Sequence, residues 1–178
     1  IKDRTHLDDL FEKTYDFASK LNQSYLPVQG PPGAGKSFTG SHLVVRLIKN
    51  GKKIGVTALS HKVISNLLEK IWDVAQEEGI SIQMMQKVKV DSEESRPWTL
   101  VKDESPIQKV IGSTDVIAGT SFMWSKPPYK NSVDYLIVDE AGQLSLIDTL
   151  AVSHSCSNLI LLGDPQQLKQ PQQGVHPD

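Results

Sequence analysis

Cysteine is all but absent, with Cys156 the only one in 178 residues. One thiol cannot close an internal disulfide, and no Cys/His cluster has the spacing of a zinc site. A disulfide scaffold and a zinc module are both excluded. A reducing, intracellular (cytoplasmic) compartment is the expected setting. No apolar run approaches the roughly 20 residues that a membrane-spanning helix needs, so no membrane segment is expected. An excess of one charge is also lacking: 19 Lys and Arg stand against 21 Asp and Glu, a formal net charge of −2. That argues against the strongly basic footprint of a dedicated duplex-DNA reader, although a basic stripe can hide inside a neutral total. An initial Met is missing too. The chain opens on Ile1 and stops at Asp178 in a Gln-, Pro- and Gly-rich stretch, so it is expected to be an excerpt of a longer protein.

What is present suits one ordinary globular domain over residues 1–178, with 38% hydrophobic and 22% charged residues. Leu7, Leu10, Phe11, Phe17, Ala18 and Leu21 recur at helical spacing and predict a first amphipathic helix. A short strand is expected over 24–29, although Pro27 would remove a ladder donor if that strand were central. A Gly-rich loop then leads into an apolar helix over 37–49, stopped by Asn50-Gly51. A second strand–helix unit follows, over 53–58 and 61–78, ended by Gly79. Residues 80–90 alternate like a strand, whereas 91–105 are acidic, polar and proline-interrupted and are expected to form an exposed loop. Further strands are expected at 115–119, 135–138 and 158–162, with helices near 107–111 and 144–154. Short apolar runs alternating with helical patterns predict an α/β fold: a parallel sheet covered on both faces, with ligands at the carboxyl ends of its strands. Trp72, Trp98 and Trp124 read as core or loop anchors, with base stacking by Trp124 as the alternative, and Met84-Met85 read as core filler. His6, His42, His154 and His176 receive no role.

Three segments carry chemistry. Gly30-Pro31-Pro32-Gly33-Ala34-Gly35-Lys36-Ser37 fits the phosphate-loop pattern G-x-x-x-x-G-K-[ST], between an expected strand and an expected helix. Glycines let successive N–H groups curl inward as an anion nest, and the helix that follows adds the positive end of its dipole. Lys36 supplies a mobile charge for the β- and γ-phosphates of ATP, and the Ser37 hydroxyl suits Mg²⁺. The alternative is a chance Gly-rich turn. Tyr135-Leu-Ile-Val-Asp139-Glu140 is an apolar strand ending in two carboxylates. Asp139 can hold the metal or its hydration shell, and Glu140 can orient or deprotonate an attacking water; an acidic helix cap is the structural alternative. In Leu161-Leu-Gly163-Asp164-Pro165-Gln166-Gln167-Leu168, a glutamine could sense the γ-phosphate, or the segment could be a plain Asp-Pro turn.

These segments, QGPPGAGKSFT (29–39), DEAGQ (139–143) and GDPQQL (163–168), occur in the order seen in superfamily 1 helicases. They resemble motifs I, II and III of the branch that includes the nonsense-mediated-decay helicase and the replication helicase-nucleases. With VTALSHKVISNLL and VIAGTSFMW, the chain from Tyr25 onward is similar to bacterial proteins that join a RecB-like nuclease region to such a helicase. The resemblance implies a P-loop NTPase with a RecA-like sheet, the first of two such domains. It implies that Lys36 and Ser37 bind phosphates and Mg²⁺, that Phe38 and Gln143 complete the nucleotide site, that Asp139 ligates Mg²⁺, that Glu140 activates water and that Gln167 contacts the γ-phosphate. It further implies single-stranded nucleic acid, DNA favoured over RNA, held by Thr57, Ser60 and His61 after one strand and by Thr120 and Ser121 after another. For these five residues a strand end or helix cap is the structural alternative.

The adenine-reading upstream glutamine of many helicases is not evident, and Lys169-Gln170-Pro171 departs from the usual proline-rich continuation. The arginine fingers that a second RecA-like domain supplies are missing, so the fragment is expected to bind ATP, hydrolyse it slowly and not translocate alone. Two other functions compete with a helicase motor: a phosphate-loop kinase, and a nucleotide-gated binding module without turnover.

Overall fold

The computed structural model describes residues 4–29, 35–89 and 95–164, with side chains from residue 11 onward. Among these residues seven strands, β1 (Tyr25–Gln29), β2 (Ile54–Thr57), β3 (Met84–Lys87), β4 (Thr99–Val101), β5 (Val116–Ala118), β6 (Val133–Val138) and β7 (Cys156–Gly163), form one sheet in the order β1-β7-β6-β2-β5-β3-β4. Every pairing is parallel. The helices are α1 (Arg4–Ser19), α2 (Lys36–Lys49), α3 (His61–Glu77), α4 (Ser105–Val110), α5 (Ser121–Trp124) and α6 (Leu146–Ser153).

Alternation along each strand divides the core in two, because successive side chains point to opposite faces. Val56, Val116, Tyr135, Ile137, Ile160 and Leu162 pack with α1, α2 and α3, whereas Ile117, Leu136, Val138 and Leu159 pack with α4, α5 and α6. Both faces are therefore covered, as the near-continuous apolar strands predict. None of the described helices is long and apolar enough to cross a membrane.

Helix limits follow local chemistry. The Ser60 hydroxyl caps α3 by accepting the Val63 N–H. Gly51 and Gly79, at φ 73° and 66°, take the left-handed conformation that ends α2 and α3. Trp124 is fully buried and donates its indole N–H to the Val56 carbonyl at 3.1 Å, so it is an anchor rather than a base-stacking ring. Trp98 and Met84 are also buried, as expected of core residues.

Three expectations need adjustment. Pro27 does lie in a strand, but β1 is an edge of the sheet. Leu159 N donates to Ser24 O, a register in which residues 24, 26 and 28 turn their backbone groups toward β7, so the missing N–H of Pro27 faces outward and costs no ladder bond. The strand expected over 80–90 shortens to Met84–Lys87. The Asp115 carboxylate accepts the Gln83 N–H at 2.9 Å, so a side chain takes the place of a ladder partner there. Finally, 95–105 is not an exposed loop: it holds β4 and the start of α4, and the buried Trp98 donates to Gln86 Oε1 at 2.9 Å. Its polar composition masked an apolar Trp-Thr-Leu-Val run. Residues 91–94 lie outside the described residues.

Gly55 sits in β2 with no room for a side chain: a Cβ there would meet Leu136 Cδ1 at 2.7 Å and Trp124 Cη2 at 2.9 Å. Overpacking of this kind costs about 1–3 kcal/mol. Gly55→Val should lower the unfolding free energy by that amount, seen as a lower urea midpoint at an unchanged m-value; an unaltered midpoint would mean that Leu136 and Trp124 can withdraw.

Candidate nucleotide site and the strand ends beside it

In a parallel sheet, polar groups gather where strands end and backbone becomes available. β1, β7 and β6 are neighbours, and their registers align Gln29 with Gly163 and Leu161 with Val138. Their carboxyl ends therefore lie side by side. Gly35, at φ 82°, turns the chain into α2 and accepts the Thr39 N–H at 2.8 Å. Lys36 and Ser37 form the first turn of α2, where backbone N–H groups and the helix dipole favour an anion. Gly30, Pro31, Pro32, Gly33 and Ala34, and likewise Gln167, lie outside the described residues.

Asp139 follows the last residue of β6, and its N–H donates to the Thr57 carbonyl at 2.9 Å. Burial pushes its carboxyl pKa upward; the Glu140 N–H, donated to Oδ1 at 2.9 Å, and the ammonium groups of Lys70 and Lys36 act in the opposite direction. Asp139 is thus a desolvated carboxylate whose charge depends on neighbouring cations. Glu140 adopts φ 52°, left-handed for a non-glycine residue, and begins a 3-10 turn, Ala141–Gln143, closed by Gln143 N–H to Glu140 O at 2.8 Å. Strain of this sort costs about 1–3 kcal/mol and clusters at functional sites. The turn lies against the end of β7: a Cβ on Gly142 would be 3.2 Å from Asp164 O, and one on Gly163 would be 3.4 Å from Gly142 N. The DEAGQ and GDP segments are consequently in contact, and Asp164 is buried.

A cleft of about 500 Å³ opens beside the start of α2, lined by Gly35, Lys36, Ser37, Phe38 and His42 of one helix and by Lys70 and Glu77 of α3. Phe38 is half exposed, and its ring lies 3.9 Å, centroid to centroid, from His42. Sequence reasoning missed Lys70 and His42. Lys70 belongs to no local pattern, since only the packing of α3 on α2 brings it near Asp139; the i, i+4 spacing of Phe38 and His42 was the available signal for the ring pair.

The other group of expected residues lies further along the same edge, after β2 and β5. Thr57 is completely buried and its hydroxyl has no hydrogen-bond partner among the described residues, so it does not stand with the surface residues. Ser60 is exposed while capping α3. His61 is half-buried, and burial, followed by Lys87 and Lys89, holds its pKa below the usual histidine range. Thr120 occupies the cap position of α5 without a side-chain capping bond, and Ser121 follows it. Because β2 pairs with both β6 and β5, these residues and the carboxylates share one edge of the sheet.

Sheet order, two-sided burial and this row of polar strand ends define a RecA-like P-loop NTPase domain. Residues 17–176 match the AAA domain family (AAA_30), and the chain belongs to it. Among curated proteins it is similar to the DNA replication ATP-dependent helicase/nuclease DNA2 of Saccharomyces cerevisiae, 29% identical over 153 residues, which are 82% of this chain and 10% of that protein. DNA2 of Xenopus laevis is 29% identical over 154 residues, covering 83% of this chain and 14% of that protein. JHS1 of Arabidopsis thaliana, described in the same words, is 28% identical over 151 residues, 82% of this chain and 11% of that one. The chain thus spans between 10% and 14% of the length of these relatives. The replication helicase-nucleases to which the motifs pointed are among the relatives found. Of solved structures, the SWI2/SNF2 ATPase core of Sulfolobus solfataricus aligns with a TM-score of 0.59 at 16% identity, over 87% of this chain and 30% of that one. The UvsW helicase of bacteriophage T4 aligns with a TM-score of 0.58 at 16% identity, over 88% and 51%. These two likenesses establish the RecA-like fold.

Two outcomes follow from the carboxylate pair. Glu140→Gly removes the left-handed strain and should melt at or above the parent chain, whereas Glu140→Val, β-branched at positive φ, should lose about 1 kcal/mol or more of stability and melt lower. Equal melting of the two would contradict the strain. Asp139 has its folded-state pKa raised, so the stability it contributes is present at low pH and is lost as pH rises through the folded value. Asp139→Asn should therefore melt higher than the parent chain at neutral pH, with the difference closing on acidification, in thermal scans across about pH 4 to 7.

Proposed function

We propose that this chain is the ATP-binding motor domain, the first RecA-like domain, of an intracellular ATP-dependent helicase or translocase acting on single-stranded nucleic acid, DNA in preference to RNA. One observation carries the reading: the start of α2, the Asp139-Glu140 pair and the end of β7 stand side by side on one edge, with the ends of β2 and β5 next in the row. A nucleotide at one end of that row and a polymer at the other would be linked through the shared strand β2.

In this reading the loop of residues 30–35 encloses the phosphates, Lys36 pairs with the β- and γ-phosphates, and Phe38 and Gln143 border the nucleotide. The Glu140 carboxylate orients the water that attacks in line with the departing diphosphate and accepts its proton. Gln167 contacts the γ-phosphate. The donor set also suits Mg²⁺. Among the described residues no group of three or more His, Cys, Asp or Glu could cage a metal, and Asp139 is a desolvated carboxylate within reach of the charge of Lys36, the residue before Ser37 in α2. Mg²⁺ takes one or two carboxylates and completes its shell with water and phosphate oxygen. Ser37 and Asp139 would hold it, and it would neutralise charge building up on the phosphates. Ser60, His61, Thr120 and Ser121 contact the strand through its phosphates, with Thr57 supporting them from within. A second RecA-like domain of the parent polypeptide completes the ATP site with arginines, and a nuclease region is a further expected neighbour. Carboxylates that serve water, rather than an acceptor pocket, set this apart from a kinase.

ATP turnover by the parent protein, measured with and without single-stranded DNA and RNA, tests the proposal. Stimulation by the polymer is expected, stronger for DNA, and Glu140→Gln should retain ATP binding while turnover falls about 10²- to 10⁴-fold. Turnover indifferent to both polymers would refute the helicase reading, and unchanged turnover in Glu140→Gln would refute the assignment of the base.

A further inference from the structure

The ends of β5 and β2 hold an aromatic ring for which the core offers no explanation. Phe122 is 72% exposed, although Met123 and Trp124 beside it are buried. The Lys126 ammonium stands 4.5 Å from the centroid of its ring, and Glu104 Oε1 accepts a hydrogen bond from that ammonium at 2.7 Å, fixing the cation in place. A phenylalanine ring left in water forgoes the stabilisation that burial would give it, and a surface ring braced in this way is suited to a ligand with an aromatic face.

Its neighbours identify that ligand. The register Val56↔Ala118 places Leu59 three residues and Phe122 four residues beyond a paired position, and Leu59 is half exposed. Thr120 and Ser121 immediately precede the ring. β3, next to β5, ends at Lys87, and Lys87 and Lys89 lie near enough to His61 to act on its charge. Hydroxyls and ammonium groups that suit phosphates thus lie along the same sheet edge as a ring that suits a base, the combination by which single strands are held without regard to sequence. A duplex, its bases stacked inside, would offer the ring nothing.

We propose that Phe122 is the base-stacking residue of the single-strand path, its ring taking one nucleobase while Thr120, Ser121, Lys87 and Lys89 meet the backbone. This rests on the nucleic-acid reading given above and adds to it a contact with the base. Stacking makes the contact tolerant of base identity but dependent on a base being present.

Binding of the 178-residue chain to a labelled oligothymidylate, and to an abasic oligomer of equal length, separates the two kinds of contact. Phe122→Ala should weaken oligothymidylate binding about 5- to 150-fold and leave the abasic oligomer unaffected, while Phe122→Trp should keep both near the parent values. Because the ring is exposed, the variants should melt with the parent chain, and a thermal scan verifies this. Equal weakening on both oligomers, or none on either, would overturn the stacking role while leaving single-strand binding in place. A parent chain that binds neither oligomer would overturn the nucleic-acid reading itself, and this proposal with it.

Discussion

The final hydrogen bond of the β2–β6 ladder, from the Asp139 N–H to the Thr57 carbonyl, determines where polar chemistry can begin. Within β2 every residue is buried, and in β6 all but one are, so neither strand can carry an unpaired charge along its length. A carboxylate is tolerated at the ends of these strands, where backbone groups and lysines can reach it: Asp134 at the start of β6 accepts the Lys53 N–H, and Asp139 follows its end. Asp139 stands at that boundary: buried enough to resist ionisation, yet reached by Lys36, Lys70 and the Glu140 N–H. The chemistry is confined to one edge because the rest of the sheet is sealed by helices on both faces.

That boundary also lies between two regions. Thr57 ends β2, and the two sides of its pairing lead to the Asp139-Glu140 turn and to the Thr120-Ser121 segment. A shift of β6 on loss of a phosphate would reach β5 through a single intervening strand. Close-packed cores transmit such movements rather than absorbing them. The glycine in the middle of β2 has no spare volume, since Leu136 of β6 and Trp124 after β5 both press on it.

Much of this was legible in the residues. Apolar runs such as Tyr135-Leu-Ile-Val have to be buried strands, and Ser60 and Gly79 mark helix ends by their own chemistry. The phosphate-loop and carboxylate segments were readable because their constraints are local. Features made by packing were not. Lys70 approaches Asp139 only because α3 packs on α2, and β4 was concealed by the charged residues around it. Trp124 was the ring weighed for stacking and Phe122 was passed over, because only the short helix α5 shows the first turned inward and the second outward. Thr57 matched a motif, yet side-chain alternation along β2 directs it into the interior.

Pro27 has a consequence beyond its own strand. β1 closes one side of the sheet, and its outward-facing backbone groups belong to residues 25, 27 and 29. Exposed edges of this kind recruit further strands and lead to aggregation. With proline at the central of those three positions, an incoming strand finds a donor missing midway and a ring in its path. The border of the sheet therefore carries its own guard against unwanted growth.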